Sequence, residues 1–300
     1  MILIVSENTD RSTTEIIRWL VSLDKKFIRI HEDEIFEIKT KDKRIFLKSY
    51  RNNFYIDEIS SVWYRRGGIR FLRYKYKDQV INDHMNEHQH WLENYVRTYL
   101  ENKKHINKES NFHINKLTVL DIATEIGFDV PKYFLAENTD NVEIHNTIVK
   151  TITGNGILEF EDTDFNAFMY TSIVKDREPN DFFTTFFQEK IDKDFEIRSF
   201  FLNGKIWSMA IFSQNDDQTK VDYRKYNQKV PNRNVRYIIP GFLEDKIRRL
   251  MHRLDLTSGS LDFIKSGDKF YFLEVNAIGQ FGNVSTYCNY NLDYEIARQL

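Results

Sequence analysis

The chain has 300 residues, 41% of them apolar, enough for two domains or one large elaborated one with a sizeable core. Its 43 basic and 45 acidic residues leave a formal net charge of −2, which excludes the basic excess of a broad nucleic-acid binder. A single cysteine, Cys288, excludes an internal disulfide framework and fits a reducing compartment, and no apolar run approaches the length of a membrane span. The N-terminal "MILIVSENTD" lacks the basic region of a signal peptide and reads as a first strand, so a soluble cytoplasmic protein is expected.

After this strand, Ser12 and Glu15 have the spacing of a capping box, and Ile16, Ile17 and Leu20 recur at helical spacing. "FIRIHE" and "SVWYRR" read as further strands, which makes the N-terminal region α/β. A long helix is expected over Gln79 to Glu101, with Val80, Ile81, Met85, Trp91, Leu92, Tyr95, Val96 and Tyr99 as its apolar stripe. His84 and His88 are four apart on it, but no His-Glu-x-x-His pattern accompanies them, and they read as a solvated face. The polar run "ENKKHINKES" reads as a linker. A helix lined by Leu117, Leu120, Ala123 and Ile126 follows, closed by Gly127 and Pro131. "NTIVKTIT" is a strand ahead of Gly154-Asn155-Gly156. Phe182, Phe183, Phe186 and Phe187 stand at helical spacing and read as core. "FEIRSFFLNGKIWSMAIF" is a hairpin with Asn203-Gly204 as its turn, "FLEDKIRRLMHRL" is an amphipathic helix, and "SLDFIKSGDKFYFLEVN" is a last hairpin.

That last hairpin carries the most chemistry. Side chains at i and i+2 share a strand face, so Glu274 and Asn276 point the same way, and Phe270 and Phe272 are expected behind them. A three-residue loop, Gly267 to Lys269, pairs Ser266 with Phe270 and sets Asp262 opposite Glu274. Two carboxylates and an amide oxygen on one patch are the donors that a hard cation such as Mg²⁺ prefers. Lys150, among Ile148, Val149 and Ile152, reads as a buried lysine in need of an anionic partner. The glycines beside it leave backbone N–H groups room to approach phosphate. Lys116 opens a helix, where the helix dipole disfavours a cation unless an anion is bound; a plain surface lysine accounts for it equally well. Gln188 and Glu189 end one strand, and Glu196 and Arg198 share a face of the next. Such a hinge can hold an adenine edge and ribose hydroxyls, although read alone the segment is an ordinary cross-strand ion pair.

In this order, from the helix-start lysine through the strand lysine, glycine loop, Gln-Glu hinge and Glu-x-Arg to the final Asp…Glu-x-Asn, the chain resembles the ATP-grasp superfamily over about Asn115 to Ser285. "SVWYRR", "NKLTVLDIATEIGFDVPKY", "QEKIDKDFEIRSFF", "VDYRKY" and "LEVNAIGQFGNVSTYCNYNLDYEIA" are similar to the maturases of graspetides, including microviridin ligases and grasp-with-spasm type systems. The resemblance implies an α/β (α+β) ATP-grasp fold in three parts. These are an N-terminal α/β domain over 1–112, a central subdomain over 113–187, and a C-terminal subdomain with an antiparallel sheet over 188–300.

The resemblance also implies ATP and Mg²⁺ as cofactors. Lys116, Lys150 and the Gly154 loop would meet ATP phosphates. Gln188, Glu189 and Ile191 would flank adenine, and Glu196 would take the ribose. Asp262, Glu274 and Asn276 would bind two Mg²⁺. Arg198, Arg224, Arg65 and Arg66 would face the acyl phosphate or the peptide. The implied reaction is macrocyclisation of a ribosomally made precursor peptide, leader plus core, by a homodimer without a nucleic-acid or membrane partner. In it, Asp or Glu side chains join Thr, Ser or Lys through acyl phosphates. The "GNG" loop is shorter than the glycine-rich loops of many relatives. Two other readings stand: a ligase adding free amino acids to a peptide or protein end, and a nucleotide-dependent binding protein without ligase turnover.

Overall fold

The computed structural model describes the chain except residues 112, 154–156, 160–165 and 226, with 157–159 and 166–168 described by their backbone alone. The chain forms two compact units. The first comprises Met1–Phe112, Asp255–Ser258 and Asn291–Leu300, and the second His113–Leu254 and Gly259–Tyr290. The contacts therefore group 113–187 with most of 188–290, and return two short later segments to the first unit.

The first unit is built on strand β1 (Ile2–Val5), helix α1 (Arg11–Ser22) and strand β2 (Phe27–Ile30), followed by β3 (Ile35–Lys41), β4 (Arg44–Lys48), β5 (Asn53–Tyr55), β6 (Ser61–Tyr64), β7 (Arg70–Phe71), helix α2 (Gln79–Glu101) and β8 (Lys104–Ile106). Strands β2-β1-β6-β8 make one parallel sheet. The four residues of β1 and the four of β6 are buried throughout, as parallel strands covered on both faces must be. Asp10, rather than Ser12, caps α1, accepting from the Thr13 N–H at 3.1 Å. The run read as a linker supplies β8, whose Lys104, His105 and Ile106 pair with Ser61, Val62 and Trp63.

A second sheet, β5-β4-β3-β7, was not anticipated. Its β3–β4 turn is Asp42-Lys43, both at positive φ (52° and 62°), and neither residue is the glycine or asparagine that usually marks such a turn. The stripe expected on α2 is also corrected. Val80, Ile81, Trp91, Leu92 and Tyr95 are exposed, and the buried residues are Glu93, Val96 and Leu100. The Glu93 carboxylate sits at 2.7 Å from Arg73 and 3.5 Å from Arg97. Strong apolar periodicity lost to this ion-pair cluster in choosing the inward face. His84 and His88 are exposed, in keeping with a solvated face.

The second unit opens with α3 (Lys116–Ile126), whose cap Asn115 accepts from the N–H groups of Leu117 and Thr118 and whose end is Gly127 in the left-handed region. There follow β9 (Tyr133–Ala136), β10 (Thr147–Lys150), β11 (Ile157–Glu159), β12 (Asn166–Phe168), β13 (Ser172–Ile173), β14 (Thr185–Glu189), β15 (Phe195–Leu202), β16 (Lys205–Phe212), β17 (Arg233–Tyr237), α4 (Gly241–Arg253), β18 (Ser258–Ser266), β19 (Lys269–Asn276) and α5 (Gly282–Cys288). The last helix, α6 (Leu292–Gln299), belongs to the first unit. Strands β13-β10-β14-β9 form an antiparallel sheet, β11-β12 a short ribbon, and β17-β16-β15-β18-β19 a five-stranded sheet. Phe186 and Phe187 lie in β14, not on a helix. Both are buried, while Phe183 is exposed. Asn203-Gly204 turns β15 into β16 with both residues at positive φ. No helix among the described residues is long and apolar enough to cross a membrane.

The β18–β19 hairpin departs from expectation in an instructive way. Its loop is Gly267-Asp268, two residues, with Ser266 opposite Lys269 and Phe263 opposite Phe272. A β-bulge between Asp262 and Phe263 then inserts Leu273 and restores Asp262 opposite Glu274. The expected pairing therefore holds through a different turn. The bulge also reverses side-chain parity. Phe272 faces away from Glu274, with its ring 5.2 Å from Phe128 and 5.6 Å from Phe263. Beyond β19 the chain folds closely against β18, and a Cβ built on Gly279 would stand 2.4 Å from the Ser260 nitrogen and 2.7 Å from the Gly259 carbonyl carbon. Only glycine fits there.

Gly279→Ala should destabilise the protein by about 2–4 kcal/mol, because backbone atoms rather than a flexible side chain must move. Gly282→Ala, where a Cβ meets nothing within 4 Å, should be neutral or slightly stabilising. Denaturant unfolding of the two variants checks the contrast; equal effects would show that the close approach is not what fixes this loop.

Candidate active site

A cavity of about 510 Å³ lies wholly within the second unit. It is lined from α3, β10, the segment after β14, β15, the loop that follows β16, and the β18–β19 hairpin. Its described lining carries six lysines and two arginines against five carboxylates, a balance suited to an anionic ligand.

The hairpin supplies Asp262, Glu274 and Asn276, with Asp262 directly across from Glu274 and Ser260 across from Asn276. The Asn276 side-chain amide donates to Glu274 Oε1 at 3.4 Å, so the two side chains meet as the shared face requires. Each carboxylate also has a cation. Arg198 grips Asp262 with both arms of its guanidinium, Nε to Oδ1 at 2.8 Å and Nη2 to Oδ2 at 2.7 Å. The Lys116 ammonium lies 2.9 Å from Glu274 Oε2 and donates to the Thr151 carbonyl at 3.1 Å. Burial opposes ionisation of Glu274, but Lys116, helped by Lys150 and Arg224, overcomes it and holds the carboxyl below the usual carboxylate range.

Lys150 emerges from β10 among the lining residues and donates to the Gln188 Oε1 at 3.0 Å. Pairing of Lys150 with Phe186 and Ile148 with Gln188 across the β10–β14 ladder sets this contact. Desolvation lowers the Lys150 ammonium to about 8, against the attraction of Glu274. Gln188 is fully buried, and its Nε2 has no hydrogen-bond partner among the described residues; the Tyr223 hydroxyl is in the same position. Buried polar atoms without partners are rare.

Ile191 lines the cavity, whereas Glu189 is exposed and accepts from the Lys132 N–H at 3.3 Å. Glu196 is buried against Lys193 in a close ion pair. Burial raises its carboxyl, and Lys193 counters this. Arg224 is half-exposed and locked in a two-armed pair with the buried Asp222, at 2.9 and 2.6 Å, and Asp222 in turn accepts from the Thr171 N–H at 3.0 Å. Gly154 lies outside the described residues. Arg65 and Arg66 belong to the first unit, just past β6. There Arg65 is buried at 2.9 Å from Asp10, and Arg66 lies 3.3 Å from Asp10 and 3.7 Å from Glu7. Sequence reasoning missed Lys193, Asp222 and Tyr223. Lys193 was legible as the i−3 partner of Glu196, and the other two flank Arg224 in "VDYRKY".

The residues present fit a nucleotide and a hard divalent cation. The donors on the hairpin face are all oxygen, the surrounding excess charge is positive, and the buried hydroxyl of Tyr223, a lining residue, has no partner among the described residues. Among the described residues no three His, Cys, Asp or Glu side chains converge as a metal cluster, so phosphate and water oxygens would complete any coordination sphere.

No protein-family model and no curated protein matches this chain. Solved structures do. A Chryseobacterium gregarium RiPP-associated ATP-grasp ligase, in complex with ADP and a leader and core peptide, superposes with a TM-score of 0.74 at 21% identity, covering 99% of this chain and 94% of that one. The macrocyclase MdnC from Microcystis aeruginosa, bound with precursor peptide MdnA, gives 0.73 at 21% identity, covering 99% and 98%. The ATP-grasp ligase PsnB, with Mg, ADP and a phosphomimetic variant of its minimal precursor, gives 0.69 at 15% identity, covering 99% and 96%. From end to end, the chain has the ATP-grasp fold of these peptide ligases.

Proposed function

We propose that the protein is an ATP-dependent carboxylate ligase that closes side-chain rings in a precursor peptide. The observation that carries this reading is the cavity wall on which Asp262, Glu274 and Asn276 share one face, beside the cations Lys116, Lys150 and Arg198. The solved ligases and macrocyclases of this fold, with their precursor peptides, ADP and Mg, support it.

In this reading Lys116 and Lys150 would hold the nucleotide's phosphates, and Asp262, Glu274 and Asn276 would hold Mg²⁺, which would supply neutralisation of phosphoryl charge. Glu196, paired with Lys193, takes the ribose. Gln188, Glu189 and Ile191 flank the base, although the outward position of Glu189 leaves it a backbone role. Phosphoryl transfer to a peptide carboxylate gives an acyl phosphate, and attack by a Thr or Ser hydroxyl or a Lys amine expels phosphate, so each ring costs one water. Phosphoryl transfer asks the protein mainly for positioning and charge, and no nucleophilic Ser or Cys is needed. Arg224, fixed by Asp222 yet half-exposed, meets the peptide carboxylate. Arg198, by its grip on Asp262, acts on the metal ligand. Arg65 and Arg66 are assigned to the peptide.

The reading is tested by ADP release with a candidate precursor encoded beside the gene. Asp262→Asn or Glu274→Gln should abolish peptide-dependent release with the fold intact by circular dichroism. Near-normal turnover in Mg²⁺ by either variant would displace the site. Arg224→Ala should cut ring formation, counted as water losses by mass spectrometry, by tenfold or more with nucleotide affinity unchanged. Unaltered cyclisation would remove Arg224 from the reaction.

Lys150 gives a pH signature. Its folded pKa, lowered to about 8, lies below its unfolded value, so its charged form is disfavoured in the fold and that cost is relieved as pH rises from about 8 towards the unfolded pKa. Nucleotide affinity has the opposite sign, because the phosphates need the ammonium. ADP binding by calorimetry should weaken between pH 7 and 9. Lys150→Met should weaken binding by roughly 2–3 kcal/mol at pH 7 and flatten the profile. A pH-independent wild type would return Lys150 to a structural role.

A further inference from the structure

Each carboxylate assigned to the cation already has a cationic partner in its own chain, and the two partners differ in kind. Arg198 holds Asp262 by two parallel hydrogen bonds, with the guanidinium 5.7 Å from the centroid of the Tyr223 ring and the acid and base on neighbouring strands of one sheet. A planar fork in that setting is a fixed fitting. Lys116 meets Glu274 through a single ammonium contact at 2.9 Å, from the first residue of α3, at the end of a flexible four-carbon stem. A compact point charge on such a stem can change partners without any movement of the backbone. Its second contact, to the Thr151 carbonyl, keeps the ammonium beside the strand end where Lys150 also lies. A group carrying several phosphate charges is a stronger partner for it than one carboxylate.

We propose that Lys116 is a resident counter-ion of Glu274 that makes divalent-cation binding conditional on nucleotide: while Lys116 holds Glu274, a cation meets a neutralised carboxylate, and when phosphates draw Lys116 away, Glu274 is released to the cation. The inference rests on the reading of this cavity as a nucleotide–metal site and adds an order to it. Nucleotide and metal then bind with positive coupling, which is reciprocal. Asn276, hydrogen-bonded to Glu274 Oε1 at 3.4 Å, keeps the carboxylate on the hairpin face whichever partner it has, so the exchange needs motion of the lysine alone. Arg198 stays on Asp262 as a positioning residue in both states.

The test uses Mn²⁺ as the probe, with free ion counted by electron paramagnetic resonance, on the full chain without nucleotide. Wild type should bind Mn²⁺ weakly. Lys116→Met should bind it tenfold or more tightly, a gain of affinity from loss of a side chain. Lys116→Arg, which keeps a cation in place, should stay near wild type, and adding Glu274→Gln to Lys116→Met should erase the gain. Lys116→Gln repeats the measurement if the Met variant loses its native circular dichroism. Equal Mn²⁺ affinity in wild type and both neutral variants overturns the proposal, as does a gain that survives Glu274→Gln. ADP binding to wild type by calorimetry is measured alongside. Its absence would defeat the nucleotide reading, and the Mn²⁺ series would still decide whether Lys116 guards Glu274.

Discussion

The candidate chemistry depends on the register of one hairpin. A side-chain period of two means that a slip of one residue sends every side chain to the opposite face. The two-residue turn at Gly267-Asp268 alone would set Asp262 one position out of line with Glu274. The bulge at Leu273 corrects the count and does two things at once. It aligns the carboxylates on the cavity side, and it turns Phe272 into the aromatic cluster with Phe128 and Phe263, behind which α3 packs. The same α3 presents Lys116. The core that supports the hairpin therefore also delivers the cation that meets Glu274.

Around this hairpin the cavity is organised as ion pairs of graded rigidity. Arg198 with Asp262 and Arg224 with Asp222 are two-armed; Lys193 with Glu196 and Lys116 with Glu274 are single-armed. Lys150 differs from all of them. Its side-chain partner is a neutral amide, and desolvation outweighs the attraction of Glu274, so its ammonium is lowered. A cavity with every charge fully matched would bind a phosphate group poorly.

How much of this was legible follows from where the signals lie. The positions of Lys116, Lys150, Gln188, Glu196, Arg198, Asp262, Glu274 and Asn276 on their strands and helix could be read, because strand alternation and helix caps are local. The turn of the last hairpin could not, since Gly267-Asp268-Lys269 allows a two- or a three-residue loop and the bulge has no residue signature. The burial of Glu93 and the exposure of Trp91 defeated the periodicity of α2, because a triad with Arg73 and Arg97 forms only in the folded unit. Strand β8 hid in a charged run, and the Asp42-Lys43 turn lacked the glycine that usually follows the aspartate. Carboxylates that looked free for a metal were found paired, which no spacing in the sequence discloses.

The first unit draws on three separate stretches of chain, and this sets an order of assembly. Helix α6 packs on α1, Ser61 donates to the Leu300 carbonyl at 2.9 Å, and Asn107 accepts from the N–H groups of Thr257 and Ser258. During synthesis, residues 1–111 leave the ribosome without these partners and must wait for nearly two hundred more. The second unit has only a four-residue interruption and can close earlier. Loops that long are slow to close and expose unfinished strands meanwhile. The half of the molecule made first is therefore the half completed last.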